Sequence, residues 1–117
     1  MIDPRLARAK ARLDGLDLYP RPVRLEPVRQ RMAPWFFRLP GLRRYQGYAL
    51  WRTILLRSRS ASEDLVTHEL CHIWQMQNEP WRVVWTYLTT RYERNPYEAQ
   101  ARAAVAATRA DAVAAGV

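Results

Sequence analysis

Residues 62–77 read Ser-Glu-Asp-Leu-Val-Thr-His-Glu-Leu-Cys-His-Ile-Trp-Gln-Met-Gln, and this stretch decides how the rest of the chain is organised. Either Ser60 or Ser62 can cap the start of a helix, and the acidic residues Glu63 and Asp64 interact favourably with its positive N-terminus. At 100° per residue, one face of this helix is apolar and carries Val66, Leu70, Ile73 and Trp74. The opposite face carries His68 and His72. The pattern predicts a helix that ends near Gln77 and packs its apolar face on a core.

The chain before this helix predicts one short helix followed by strands. Residues 4–14 place apolar side chains at helical spacing, and Gly15 ends that helix. Five prolines between residues 20 and 40 exclude a helix there, while Val23 and Leu25 alternate with charged residues as in a half-exposed strand. Residues 45–57 are mostly aromatic and aliphatic, which predicts two short strands or one bent strand, with Gly47 at a bulge or close approach.

The chain after the central helix predicts two more helices. Between residues 81 and 94 one apolar stripe recurs at helical spacing; it consists of Trp81, Val84, Trp85, Leu88 and Tyr92. Asn95 and Pro96 then form a cap and a first helical position, and alanine carries the last helix to about Ala114. Strands therefore precede the main helices, so that we predict an α+β fold with one domain over residues 1–117.

Composition and charge limit the classes of function. The 117 residues are 49% hydrophobic and 26% charged, which is typical of a globular domain. The net charge of +8 would attract nucleic acid or an anionic membrane surface. All basic residues except Lys10 are arginines, however, and they are scattered along the chain, as a GC-rich genome would also produce. The charge alone therefore does not predict a nucleic-acid partner.

The single cysteine and the apolar pattern predict the location. Cys71 excludes an internal disulfide and a zinc finger with several cysteines, and we expect it to be a small buried group. No apolar run is long enough to span a bilayer, and the N-terminus has no secretory signal pattern. A cytoplasmic protein is expected.

The chain has five tryptophans, which we expect either to supplement a thin core or to mark an interface; they are Trp35, Trp51, Trp74, Trp81 and Trp85.

The chemistry lies in His68-Glu69-Leu70-Cys71-His72, an H-E-x-x-H pattern inside the central helix. Residues four apart share one helix face at about 6 Å, so both imidazoles can reach one zinc ion. Glu69 borders the same face and is placed to take a proton from a water on the metal. The other interpretation is two surface histidines with ordinary hydrogen bonds.

A two-histidine site needs a third protein ligand, and the chain has no other histidine. The downstream carboxylates are Glu79, Glu93, Glu98 and Asp111. Glu79 is too close to the central helix, and Glu93 lies off the apolar stripe. Glu98, in the first turn of the last helix, is therefore the predicted ligand. Two alternatives stay open: Glu98 only caps its own helix together with Asn95, or Glu93 is the ligand.

Together with Asn95-Pro96-Tyr97-Glu98-Ala99, the motif resembles the gluzincin metallopeptidases, and more closely the very short minigluzincin-like zincins, over about residues 45–105. The resemblance implies a small zincin-like domain, with a short mixed sheet packed on the active-site helix and two further C-terminal helices. It also implies Zn²⁺ held by His68, His72 and Glu98, with Glu69 as the catalytic general base that hydrolyses peptide bonds.

Departures from the larger gluzincins leave a second interpretation. Arg102 stands where those enzymes carry an aspartate that supports a ligand histidine, and no histidine remains to stabilise an oxyanion. A metal-binding, non-proteolytic domain with a regulatory or scaffold role is therefore the alternative.

The remaining expectations concern the cleft and the partners. Oxyanion candidates are Tyr87, Arg91, Tyr92 and Tyr97. Substrate would add a strand along residues 45–51, and the proline-rich segment 15–40 would lie across the cleft. A peptide or protein substrate is expected as the partner, rather than nucleic acid or a membrane, and the oligomeric state is left open.

Overall fold

The protein, described by a computed structural model over residues 3–50 and 52–109, has the predicted α+β fold. The helices and strands in these ranges are α1 (Pro4–Asp14), β1 (Arg29–Met32), β2 (Gly47–Leu50), β3 (Thr53–Leu56), α2 (Glu63–Asn78), α3 (Pro80–Thr89) and α4 (Pro96–Thr108). Short 3₁₀ turns occur at Phe36–Arg38 and Tyr92–Arg94.

The sheet is small and mixed. Its strand order is β1-β3-β2, with β1 parallel and β2 antiparallel to β3. The two strands predicted within residues 45–57 are thus confirmed, and β2 lies at an edge of the sheet.

The strand predicted around Val23 and Leu25 is wrong. Both residues lie in irregular structure, and β1 forms later, in the proline-free interval between Pro27 and Pro34. Backbone pairing with β3 creates β1, because its side chains are largely exposed and show no apolar alternation.

The core lies against the apolar face of α2, as predicted. Val66, Leu70, Ile73 and Trp74 are each at most 1% exposed. Helix α1 contributes Leu6, Ala9 and Leu13 from one side, and α4 contributes Ala101 and Ala104. The apolar face of α2 thus faces the core, and its histidines lie on the other side.

Local side chains set the helix ends. Ser62 Oγ accepts a hydrogen bond from the Leu65 amide at 3.1 Å and caps α2. Asn95 caps α4 by accepting from the Tyr97 amide at 2.9 Å. Helix α4 ends at Thr108, before the predicted Ala114, because Arg109 is already extended. Residues 110–117, which include the predicted helix end and Asp111, lie outside the described residues.

Helix α3 does not turn its apolar stripe toward the core. It ends at Thr89, so Tyr92 belongs to a separate turn, and Val83 is its one buried residue. Trp81 is 79% exposed, Trp85 68% and Leu88 77%. Trp74 is a core tryptophan, whereas Trp35 is exposed and Trp51 is outside the described residues.

Of the helices described, none combines the length and apolar character needed to cross a membrane.

Candidate metal centre

Two helices bring three potential metal ligands together. His68 and His72 lie one turn apart on α2, and Glu98 enters from the first turn of α4. His68 Nε2 is 3.1 Å from Glu98 Oε1, and His72 Nε2 is 2.7 Å from Glu98 Oε2. One ligand atom from each residue lies within 4.8 Å of the other two. The predicted triad is therefore assembled in space.

The donor set fits a zinc ion. His72 Nε2 is buried and has no hydrogen-bond partner. It lies close to Glu98 Oε2, but the angle between the two groups is not that of a hydrogen bond. Ligand atoms around tetrahedral zinc at about 2.0–2.1 Å are about 3.4 Å apart, so small side-chain movements would admit the ion. Two imidazoles and one carboxylate are also ligands that zinc accepts.

Charge interactions hold the triad together. Burial alone would raise the pKa of Glu98, but contacts with His68, His72 and Tyr87 hold it well below its usual range. Burial would lower the pKa of His72, yet Glu98 and Glu69 raise it above its ordinary 6.5. Without a metal, the Glu98 carboxylate is the anion that stabilises the imidazole pair.

Gln75 orients His72, a role that the sequence pattern did not predict. Its side-chain NH₂ donates to the Tyr97 carbonyl at 2.9 Å and to Gln100 Oε1 at 2.8 Å. Its carbonyl oxygen must therefore face His72 Nδ1, which lies 2.9 Å away. Nδ1 carries the proton in this arrangement, which leaves Nε2 of the neutral ring free for a metal. The position of Gln75, three residues after His72 on the same helix, is the signal that was available.

Tyr87 contacts the carboxylate ligand directly. Its hydroxyl donates to Glu98 Oε2 at 2.6 Å and lies 3.4 Å from His72 Nδ1. Burial and the neighbouring Glu98 raise the pKa of this phenol above its ordinary 10, so the hydroxyl stays protonated. Tyr87 was one of the predicted oxyanion donors, and in the structure its hydroxyl is instead bonded to the ligand Glu98.

Glu69 lies beside the triad and against the edge strand. It is 6% exposed and lines the same cleft as Ala49 of β2. Burial raises its pKa above its ordinary 4.5, although His72 and His68 act in the opposite direction. A Cβ at Gly47 would lie 3.4 Å from Glu69 Cγ, so the predicted close approach at Gly47 is confirmed.

A cleft of about 310 Å³ opens onto these groups. Its polar lining includes Glu69, His72 and Glu98 together with Tyr45, Tyr48, Tyr87 and Tyr92. Edge strand β2 forms one part of the wall, and Met76, Val83, Val84 and Leu88 form an apolar part. Two members of the triad, His72 and Glu98, therefore share one accessible cavity with Glu69, the general-base candidate.

Several other predicted residues lie elsewhere. Tyr97 is wrong as an oxyanion donor, because it is 8% exposed and its hydroxyl donates to Glu79 at 3.1 Å, outside the cleft lining. Arg91 and Glu93 are exposed and line no part of the cleft either. Glu79 accepts hydrogen bonds from Tyr19 and Tyr97, away from the histidines.

The segment 15–40 does not cover the cleft, since none of its residues lines it. Instead it packs on the core: Val23 is buried, and the Arg21 carbonyl accepts from the Trp74 indole at 2.8 Å. Cys71 is fully buried, as predicted, and burial raises its thiol pKa to about 12.

No family model, curated protein or solved structure matches this chain. The resemblance to the gluzincins therefore rests on the motif residues alone.

Proposed function

We propose that the protein is a zinc-dependent metallopeptidase of minimal gluzincin type. The observation that carries the proposal is the convergence of His68, His72 and Glu98 within 4.8 Å. Two of these ligands, His72 and Glu98, line a cleft together with Glu69. A zinc ion bound there would supply a Lewis acid that lowers the pKa of a coordinated water to about 7. A reducing compartment such as the cytoplasm belongs to the same proposal, supported by the single buried Cys71.

The chain's own residues have distinct roles in this proposal. His68, His72 and Glu98 hold the metal, while Gln75 fixes the tautomer of His72. Glu69 takes the proton of the attacking water and returns it to the departing amine. Its raised pKa, caused by burial, moves it toward the range in which a carboxylate exchanges protons near neutrality.

Edge strand β2 supports a peptide as the substrate. Its outer edge has no partner among the described strands, and Gly47–Leu50 lies along the cleft. An extended peptide can pair with such an edge through backbone hydrogen bonds, which give affinity with little sequence selectivity. Tyr92, which lines the cleft, is the remaining candidate for stabilising the oxyanion. Burial and the nearby Glu98 raise its pKa above its ordinary 10, so its hydroxyl remains a donor.

The test separates metal binding from catalysis. Glu69→Gln should leave one zinc bound by elemental analysis and abolish cleavage of a peptide library, because the proton acceptor is lost. Glu98→Ala should lose the metal and cleavage together. The matched control is Glu93→Gln, the same change at an exposed carboxylate, which should retain both. Cleavage that survives in purified Glu69→Gln protein would refute the proposal.

Zinc binding with no cleavage by the wild-type chain would instead favour the non-proteolytic interpretation. A regulatory or scaffold domain would then be the function of the same metal site.

A further inference from the structure

Helix α3 exposes an apolar surface that nothing in the described chain covers. Four side chains recur at positions 81, 84, 85 and 88, and we call them the α3 face: Trp81, Val84, Trp85 and Leu88. Trp81 is 79% exposed and Trp85 is 68% exposed. Contiguous exposed apolar residues of this size mark an interaction site more often than a free surface.

Two arginines accompany the α3 face, one on the same helix and one at the rim of the cleft that Val84 and Leu88 line. Arg82 lies on the same helix with 76% of its side chain exposed, and its contact with Glu79 is long, at 3.5 Å. At the rim of the cleft, the Arg44 guanidinium lies 5.0 Å from the Tyr45 ring and 5.6 Å from the Tyr92 ring. Glu93 is the acidic residue near Arg44.

The charges of the whole chain act in the same direction. It carries a net charge of +8. Six of the ten carboxylates in the described residues contact a basic side chain or a histidine; they are Asp3, Asp14, Glu63, Asp64, Glu79 and Glu98. The α3 face is therefore an apolar, tryptophan-rich surface in a positive field.

The exposed area argues against a second copy as the occupant. The two tryptophans expose roughly 350 Å² between them, taking about 250 Å² for a whole side chain. Even with Leu88 and Val84 the face stays well below the ~800 Å² per partner that stable dimers bury. A lipid surface has no such requirement, because lipids surround each inserted side chain, and it also complements the charge.

We infer that the α3 face docks on the surface of an anionic bilayer, with Trp81 and Trp85 at the level of the lipid head groups and with Arg82 and Arg44 facing acidic lipids. This changes the expectation from the sequence, which excluded a membrane because no apolar run spans one. Docking at a surface needs no spanning helix. Val84 and Leu88 belong to both the α3 face and the cleft wall, so the docked protein holds its cleft beside the bilayer.

The test is flotation of the full chain with vesicles of phosphatidylcholine and phosphatidylglycerol, compared with phosphatidylcholine alone. We expect the wild type to bind the anionic vesicles. The double variant Trp81→Ser/Trp85→Ser should bind them at least roughly tenfold more weakly. Arg44→Gln and Arg82→Gln should each weaken binding about fivefold. Trp35→Ser, at a tryptophan that is 64% exposed outside α3, and Arg59→Gln, near α1, are the matched controls and should bind as the wild type does.

All these positions are exposed, so the variants should fold, and circular dichroism checks this. Unchanged binding of the double tryptophan variant, or an equal loss in Trp35→Ser, would overturn the inference. The inference would also be overturned if the wild type does not bind vesicles and instead sediments as a dimer, while the double variant sediments as a monomer. The measurement uses no peptide substrate, and Glu69→Gln should not affect it, so its failure is separate from failure of the proposed peptidase.

Discussion

Replacing Gln75 by methionine should weaken zinc binding without removing any ligand. Methionine matches glutamine in length but can neither accept from His72 Nδ1 nor donate to the Tyr97 carbonyl. The wild-type side chain does both, at 2.9 Å in each case, and is fully buried. The substitution therefore removes the group that fixes the imidazole, while its volume stays filled.

The expected magnitude follows from these contacts. Loss of a hydrogen-bonded partner outside the ligand set costs about 10–100-fold in metal affinity. The same change removes three buried hydrogen bonds, those to His72, to the Tyr97 carbonyl and to Gln100, each worth about 1 kcal/mol, so folding stability should fall by about 3 kcal/mol. Gln75→Glu should recover part of the zinc affinity, because a carboxylate also accepts from Nδ1, but little of the stability, because it cannot donate to Tyr97.

Competition with a chromophoric chelator measures the zinc affinity, and urea unfolding of the zinc-free protein measures the stability. Gln77→Met is the matched control on the same helix. It loses two hydrogen bonds to the Arg24 backbone, at 2.9 and 2.8 Å, but none to the site. Its stability should fall by about 1 kcal/mol with unchanged zinc affinity. Equal zinc affinities in Gln75→Met and wild type would show that Gln75 does not orient His72.

Three further measurements test the site and its surroundings. Zinc at about 100 times its Kd should raise Tm by about 10 °C, and a chelator should reverse this; no shift would mean that the triad does not bind zinc in the folded state. Cys71 should react with iodoacetamide at pH 8 only after unfolding, because the thiol is fully buried and its pKa is raised to about 12; rapid labelling of the folded protein would contradict that burial. Burial alone would raise the pKa of Asp64, but hydrogen bonds from Arg12 and Arg109 hold it below its ordinary 3.8. The stability that Asp64 contributes is therefore fully present above pH 3.8 and is lost as the pH falls through the pKa of Asp64 in the folded protein. The free energies of unfolding of wild type and Asp64→Asn should therefore differ at pH 6, and the difference should shrink as the pH falls below 3.8. A difference that stays constant with pH would rule out this ion pair as the cause.

The fold was predictable wherever neighbours along the chain set the structure. The bounds of α1 and α2 follow from capping residues and apolar spacing, both of which act within one or two turns. Strand β1 was not predictable, because Arg29–Met32 has no strand pattern and is ordered by pairing with β3, more than twenty residues later. The apolar stripe on α3 could be read from the sequence. Its exposure could not, because it depends on which face of α3 packs against the rest of the protein.

The sequence by itself determined that His68 and His72 share one helix face, because residues four apart are neighbours in any α-helix. It also narrowed the third ligand to a few carboxylates and favoured Glu98 among them. Only the tertiary structure decided that Glu98 reaches both imidazoles, at a separation of 30 residues from His68. The packing of α4 on α2 brings Glu98 there, and Tyr87 reaches Glu98 from α3. Such contacts depend on how whole helices pack, and spacing along the chain does not record that.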